Sequence, residues 1–419
     1  MIAKGLSTMN SFTTMLQKYA ELVIQVGVNI QPGQVLIVNA PLETAELTRL
    51  IVAKAYDAGA KYVMVDWDDE QVTRIRYEHA ADDTFGYYPQ WHADMMEKFA
   101  EEGGAILRIK VPNPELFDGI DSWKVSASVK ATAIANEKYS VYTRNSRISW
   151  SLIKAPTAAW ANKVYADLPE AERIPAMWEA IFMMNRVTAD NDPVAAWREH
   201  IEHLRKGKNL LNGKKYKSLH YRAPGTDLHV QLPEGHIWRS GGGENDAGTY
   251  FVANMPTEEV FSMPHRTGVN GTVKSTMPLN LNGRLVEGIT LIFKDGKVVE
   301  YDAAAGREYL TDLLDTDEGA SYLGEIALVP YDSPISRLNR IFYNTGIDEN
   351  ASCHFALGSA YPTNIEGGTQ LSKEELVQRG ANVSLTHVDF MVGSAELDID
   401  GELPDGTIEP VFRQGNWAF

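Results

Sequence analysis

Between Ser11 and Val23 the apolar positions Leu16, Tyr19, Ala20, Leu22 and Val23 recur at helical spacing, and Gly27 is the expected stop. The period then shortens. Gln34-Val-Leu-Ile-Val38, after Pro32-Gly33, reads as a short buried strand; residues 42–58 return to helical spacing and end at Gly59. Lys61–Val65 and Ala105–Ile109 read as a second and third strand. Strand, helix, strand with short connections predicts a βαβ unit and a parallel sheet, so the N-terminal half reads as α/β. The first strand runs into Asn39-Ala-Pro-Leu and not into a phosphate-binding glycine fingerprint, so no nucleotide is assigned to it.

Residues 170–205 are rich in helix formers, and the polar, basic run LRKGKNLLNGKKYK around Gly207 predicts a break. The domain boundary falls there: an N-terminal α/β domain over 1–208 and a C-terminal domain over 209–419. Beyond it Leu228–Leu232 alternates as a strand, residues 284–293 and 297–301 flank the hairpin signal Lys294-Asp-Gly-Lys297, and 384–391 and 396–400 read as further strands. The C-terminal half is therefore expected to be α+β with a mainly antiparallel sheet.

Composition narrows the function. The 419 residues are 44% hydrophobic and 23% charged, enough apolar material for two packed cores and not for a disordered chain. A formal charge of −17 argues against nucleic acid, which needs a basic surface, and could draw in a cationic group such as a peptide's N-terminal ammonium. The single cysteine, Cys353, excludes an intrachain disulfide. The stretch MIAKGLSTMNSFTTML has no sustained apolar core, and no run approaches the roughly 18 apolar residues that span a bilayer. A cytoplasmic protein with no membrane partner is expected.

Several residues could carry chemistry. In Leu385-Thr-His387-Val-Asp389-Phe-Met391, strand alternation sends His387 and Asp389 to one face and Val388 and Phe390 to the other. Imidazole and carboxylate together suit zinc, cobalt or manganese; a solvated strand face is the plainer alternative. His354 sits in a small, apolar stretch and must satisfy its ring nitrogens somewhere, while its neighbour Cys353 points the other way as buried filler. Tyr361, before Pro362, could reach a metal or an oxyanion from a loop. Glu325 enters the apolar strand Leu323-Gly-Glu-Ile-Ala-Leu-Val329, where a charge is costly unless paired or bound to metal. Glu258 and Glu259 follow Pro256-Thr257, and the plain reading there is a helix start capped by Thr257. His200 and His203 lie three apart on a helix expected to be an amphipathic surface one, and Ser240–Asp246 reads as a flexible turn.

Taken as long blocks, the chain resembles the M29 family of metal-dependent aminopeptidases, the thermophilic aminopeptidase or aminopeptidase S/T group. The blocks are LQKYAELVIQVGVNIQPGQ, NMPTEEVFSMPHRTGVNGTV, LGEIALVP, ENASCHFALGSAYPTNIEGG and THVDFMVGSAELDIDG, in that order. The resemblance implies a two-domain homodimer with two divalent ions (zinc, cobalt or manganese) per chain in the C-terminal domain. It places the metal ligands on Glu259, Glu325, His354, Tyr361, His387 and Asp389, and chooses Glu259 over Glu258. It implies hydrolysis of N-terminal residues from peptides by a metal-bound water, with Tyr361 and Glu325 catalytic; another dinuclear amidohydrolase, a carboxypeptidase or dipeptidase, is the alternative. Glu325 is expected to bridge, with Glu259 and Asp389 on one ion and both histidines on the other. Glu258 or Glu366 is a candidate proton shuttle, and His265 and Arg266 are candidates to orient substrate.

Overall fold

The computed structural model describes residues 2–419 apart from 112, 114, 115, 282 and 283. It divides into two compact units: Met1–Glu199 with Gly242–Pro256, and His200–Gly241 with Thr257–Phe419.

The first unit is built on a four-stranded parallel sheet in the order Tyr62–Asp68, Val35–Pro41, Ala105–Lys110, Trp150–Lys154. The two central strands carry unbroken apolar runs because both of their faces are covered: Leu36, Ile37 and Val38, and Ala105, Ile106 and Leu107, are all buried. Ile37 and Ile106 pack with Met96 and Ala100 of the helix Gln90–Glu101 and with Tyr139 and Ile148. The first helix, Ile2–Leu22, continues as a wider turn over Val23–Gly27. The glycine-rich stretch expected to be a flexible turn instead contributes short strands, Arg239–Ser240 and Gly242–Glu244, the latter paired with Tyr250–Val252. Gly242 is required there: a Cβ would lie 2.3 Å from the Tyr250 hydroxyl.

The second unit holds two antiparallel sheets. The larger has eight strands, in the order Lys297–Asp302, Thr290–Lys294, Val269–Lys274, Thr226–Gln231, Ser218–Ala223, Asp398–Glu402, Ile408–Arg413, Asn416–Trp417. The smaller has five: His387–Met391, His354–Gly358, Leu323–Leu328, Val260–Ser262, Arg239–Ser240. The predicted hairpin closes at Asp295-Gly296, both with positive φ (50° and 83°), the pairing that a tight two-residue turn requires. One core cluster joins apolar residues of both sheets, including Tyr221, Leu228, Phe293, Ile326, Phe355, Phe390 and Phe412.

Two local expectations fail. The break at Gly207 does not occur: one helix runs Pro193–Lys214, and Gly207 lies against the Trp417 ring, 3.3 Å from where a Cβ would sit. That close packing, not a turn, accounts for the glycine. Nor does Thr257 open a helix; Thr257–Glu259 is irregular and leads straight into the strand Val260–Ser262. Among the described residues no helix is long and apolar enough to cross a membrane.

Candidate metal centre

The five-stranded sheet has two faces of opposite character. Its pairing places Ala356 directly opposite both Glu325 and Asp389, His354 opposite Ala327, and Gly358 opposite His387. Residues opposite one another, and residues two apart along a strand, share a face. Glu325, Ala327, His354, Ala356, Gly358, His387 and Asp389 therefore line one side. Ile326, Phe355 and Phe390 turn to the other and bury in the core. Alternation thus delivers four ligand-type side chains to one surface, and Ala327, Ala356 and Gly358 between them keep its floor low.

The polar groups converge. His354 Nε2 lies 3.3 Å from Glu259 Oε2 and 3.6 Å from Glu325 Oε1. His387 Nε2 lies 3.6 Å from Glu325 Oε2 and 3.5 Å from Asp389 Oδ1. Each histidine is aimed by its other nitrogen: His354 Nδ1 donates to the Ser352 carbonyl at 3.1 Å and His387 Nδ1 to the Ser359 carbonyl at 2.7 Å. Backbone acceptors at Nδ1 leave both Nε2 lone pairs for the site, the usual outer support of a metal-binding imidazole. Glu259, Glu325 and His354 form one group of potential ligands, and Glu325, His387 and Asp389 a second, each with its ligand atoms within 4.8 Å of one another. Glu325 belongs to both. The expected sorting, with both histidines on one ion, does not match these distances; they pair Glu259 with His354 and His387 with Asp389.

Glu259 reaches the sheet from a segment pinned on both sides. The Glu258 amide donates to Asn350 Oδ1 at 2.7 Å, and His200 Nε2 donates to the Thr257 carbonyl at 2.8 Å. His200 is buried, with Nε2 3.6 Å from the Glu258 carboxylate; His203 is exposed. The helix at His200 is therefore not a plain surface helix on that side. It fixes the backbone that carries Glu259.

Tyr361 follows the His354 strand, its ring 4.9 Å from that of His387 and 6.2 Å from that of Phe261. Although the residue is half exposed, desolvation of its hydroxyl and then the charges of Glu325, Asp389, Glu349 and Glu259 hold that hydroxyl protonated well above the ordinary tyrosine range. Glu349, absent from the expected site, sits in the turn Glu349–Ala351. Burial and the charges of Asp389 and Glu259 push its carboxyl well above the usual carboxylate range. Glu366 is exposed on the turn that bonds Gly235 and Arg379, and Arg266 stacks 4.2 Å over Tyr322 and pairs with Glu318. Cys353 is buried, its sulfur against the backbone of Val329.

The electrostatics are those of a site built for positive charge. Burial pushes Glu325 up to about 7, against the pull of His354. Burial draws the two imidazoles down, yet their carboxylates win: His387 is held up to about 10, chiefly by Asp389, and His354 well above the histidine range by Glu259 and Glu325. Burial opposes ionisation of Asp389 too, but the close approach of His387 keeps it low. Even so, His354 Nε2 and Asp389 Oδ1 are buried and have no hydrogen-bond partner among the described residues. Buried polar atoms left so, in a mixed imidazole and carboxylate set, fit divalent metal ions.

A family described as thermophilic metalloprotease (M29) matches residues 12–417. Aminopeptidase 2 of Geobacillus stearothermophilus is 54% identical over 98% of this chain and 99% of its own length. Aminopeptidase AmpS of Bacillus subtilis is 48% identical over 98% and 100%. The structure of wild-type AmpT from Thermus thermophilus superposes with a TM-score of 0.91 at 40% identity, covering 98% of this chain and all of that one.

Proposed function

The chain belongs to the thermophilic metalloprotease (M29) family, and from that premise we propose that it is an aminopeptidase releasing N-terminal residues from peptides at a dinuclear site. The observation that carries this reading is the pair of ligand groups sharing Glu325. Glu259, Glu325 and His354 would hold one divalent ion and Glu325, His387 and Asp389 the other, with Glu325 as the bridge. Zinc, cobalt and manganese all suit such a set. When bound, the ions polarise the scissile carbonyl and acidify the attacking water.

The remaining chemistry belongs to the chain's own residues. The charges of Asp389 and Glu259 act on Glu349, which belongs to neither ligand group; as the carboxylate it would accept the proton of the attacking water and, once protonated, return it to the leaving amine. This replaces Glu258 and Glu366 as proton shuttle. The Tyr361 hydroxyl stays protonated and donates to the oxygen of the tetrahedral intermediate, or adds a weak ligand. We assign this work to the C-terminal domain, 209–419, and take the protein to act as a cytoplasmic homodimer; the free, buried thiol of Cys353 suits a reducing compartment.

Hydrolysis of aminoacyl-p-nitroanilides, but not of their N-acetylated counterparts, is the expected result. Release from the carboxyl end of N-blocked peptides would point to the carboxypeptidase alternative. Metal analysis should find about two ions per chain, as dinuclear catalysis needs, and Glu325→Ala should lose both ions and turnover. Full activity in exhaustively demetallated protein refutes the proposal. Light scattering on the eluting peak checks the dimer.

A further inference from the structure

The eight-stranded sheet carries a second cluster of ligand-type side chains, away from the five-stranded sheet and its centre. Its strands Ser218–Ala223 and Thr226–Gln231 form a hairpin in which His220 stands directly opposite His229 and Arg222 opposite Asp227. The two imidazoles stack with centroids 3.7 Å apart and planes 17° from parallel. His220 Nε2 is 2.7 Å from Asp227 Oδ1, and the ligand atoms of His220, Asp227 and His229 all lie within 4.8 Å of one another. Asp227 and His229 are exposed and His220 is half-buried, so solvent can complete a coordination shell.

The plain alternative is a solvated polar sheet face. Two features set this cluster apart. First, stacked imidazoles resist double protonation, because like charges at contact distance repel. Second, nearby charges are already engaged. Asp400, the neighbour of His220 on the other side, is tied to Arg222 and Arg413. Arg222, opposite Asp227, is thus turned to Asp400, and Asp227 is left to the two rings.

We propose that this hairpin is a solvent-facing site for a borderline divalent ion, held by His220, Asp227 and His229 and independent of the peptidase centre. Two imidazoles and one carboxylate favour copper, nickel or zinc over magnesium or calcium. The rigid cross-strand pairing fixes the two rings before the ion arrives.

The test uses the full-length protein. Equilibrium dialysis against zinc, with bound metal counted by mass spectrometry, should find one more ion in wild type than in His229→Ala or His220→Asn. Glu325→Ala should keep that extra ion while losing those of the catalytic centre. One equivalent of copper added to the zinc-loaded chain should give a paramagnetic-resonance spectrum with coupling to two imidazole nitrogens, lost in both histidine variants. The affinity loss in His229→Ala should exceed the roughly 10–100-fold that removing even an outer-shell partner costs. Peptidase turnover and melting temperature should be unchanged in His229→Ala, which separates this site from the catalytic reading. Equal zinc counts and identical copper spectra in wild type and both histidine variants overturn the proposal.

Discussion

Replacing Glu325 by Gln should stabilise the metal-free chain and destroy its capacity to be stabilised by metal. Glu325 lies in a strand whose six residues are all buried, with only 5% of its surface exposed. Burial raises its carboxyl from 4.5 to about 7 despite the pull of His354. An acid with a raised folded pKa binds its proton more tightly folded than unfolded. Its contribution is therefore most favourable below pH 4.5 and is lost as pH climbs from 4.5 through about 7. Over that interval the loss is about 3 kcal/mol, at about 1.4 kcal/mol per pH unit. Gln keeps the shape without the charge, and its buried amide costs about 1–3 kcal/mol where unpaired, so at pH 8 the metal-free variant should equal wild type or exceed it by up to about 2 kcal/mol. Calorimetry in EDTA would show this as a rise of a few degrees, and the gap should close toward pH 5. Added zinc should reverse the order. A ligand at 1,000 times its Kd stabilises by about 4 kcal/mol, and only wild type can draw on it in full. A variant that melts well below wild type in EDTA, or gains as much from zinc as wild type does, refutes the reasoning.

Other substitutions divide the site. His387→Ala removes one member of the His387 and Asp389 pair and should leave about one ion per chain, held by Glu259, Glu325 and His354; metal analysis after desalting checks the count. Glu349→Gln should leave the metal content unchanged while kcat falls about 10²–10⁴-fold, the range of a lost general acid–base group, read from p-nitroanilide kinetics. Cys353→Ala should keep turnover and metal and cost about 1 kcal/mol of stability, the ordinary scale for trimming one buried atom, read from denaturant midpoints. A collapse of metal binding in that variant would show that the thiol does more than fill space.

What could be read from the chain alone depended on how local each cause is. His387 and Asp389 were legible because strand alternation is a two-residue rule, and Phe390 and Val388 between and after them name the buried face. Glu325 was legible because a lone carboxylate in an apolar strand needs a compensating charge. The parallel and antiparallel halves followed from the switch between helical spacing and alternation, and the Asp295-Gly296 turn from its own φ requirement. Gly207 misled because a glycine that ends a helix and one that admits an indole look the same until Trp417, 210 positions on, is seen against it. Glu349 was hidden for a related reason. In sequence it is one acid beside Asp348, and only folding separates them: Asp348 turns back to accept from the amides of Phe342 and Asn344, while the carboxyl of Glu349 feels the charges of Asp389 and Glu259. The grouping of the candidate ligands was hidden in the same way, since the approach of Glu259 to His354 depends on where His200 and Asn350 pin the Thr257–Glu259 segment. Residues whose role is set by their own strand could be read in advance; those set by a distant partner could not. The candidate metal centre needs both kinds, because alternation on one sheet supplies Glu325, His354, His387 and Asp389, and the carboxylate that completes the first group must be carried in from outside it.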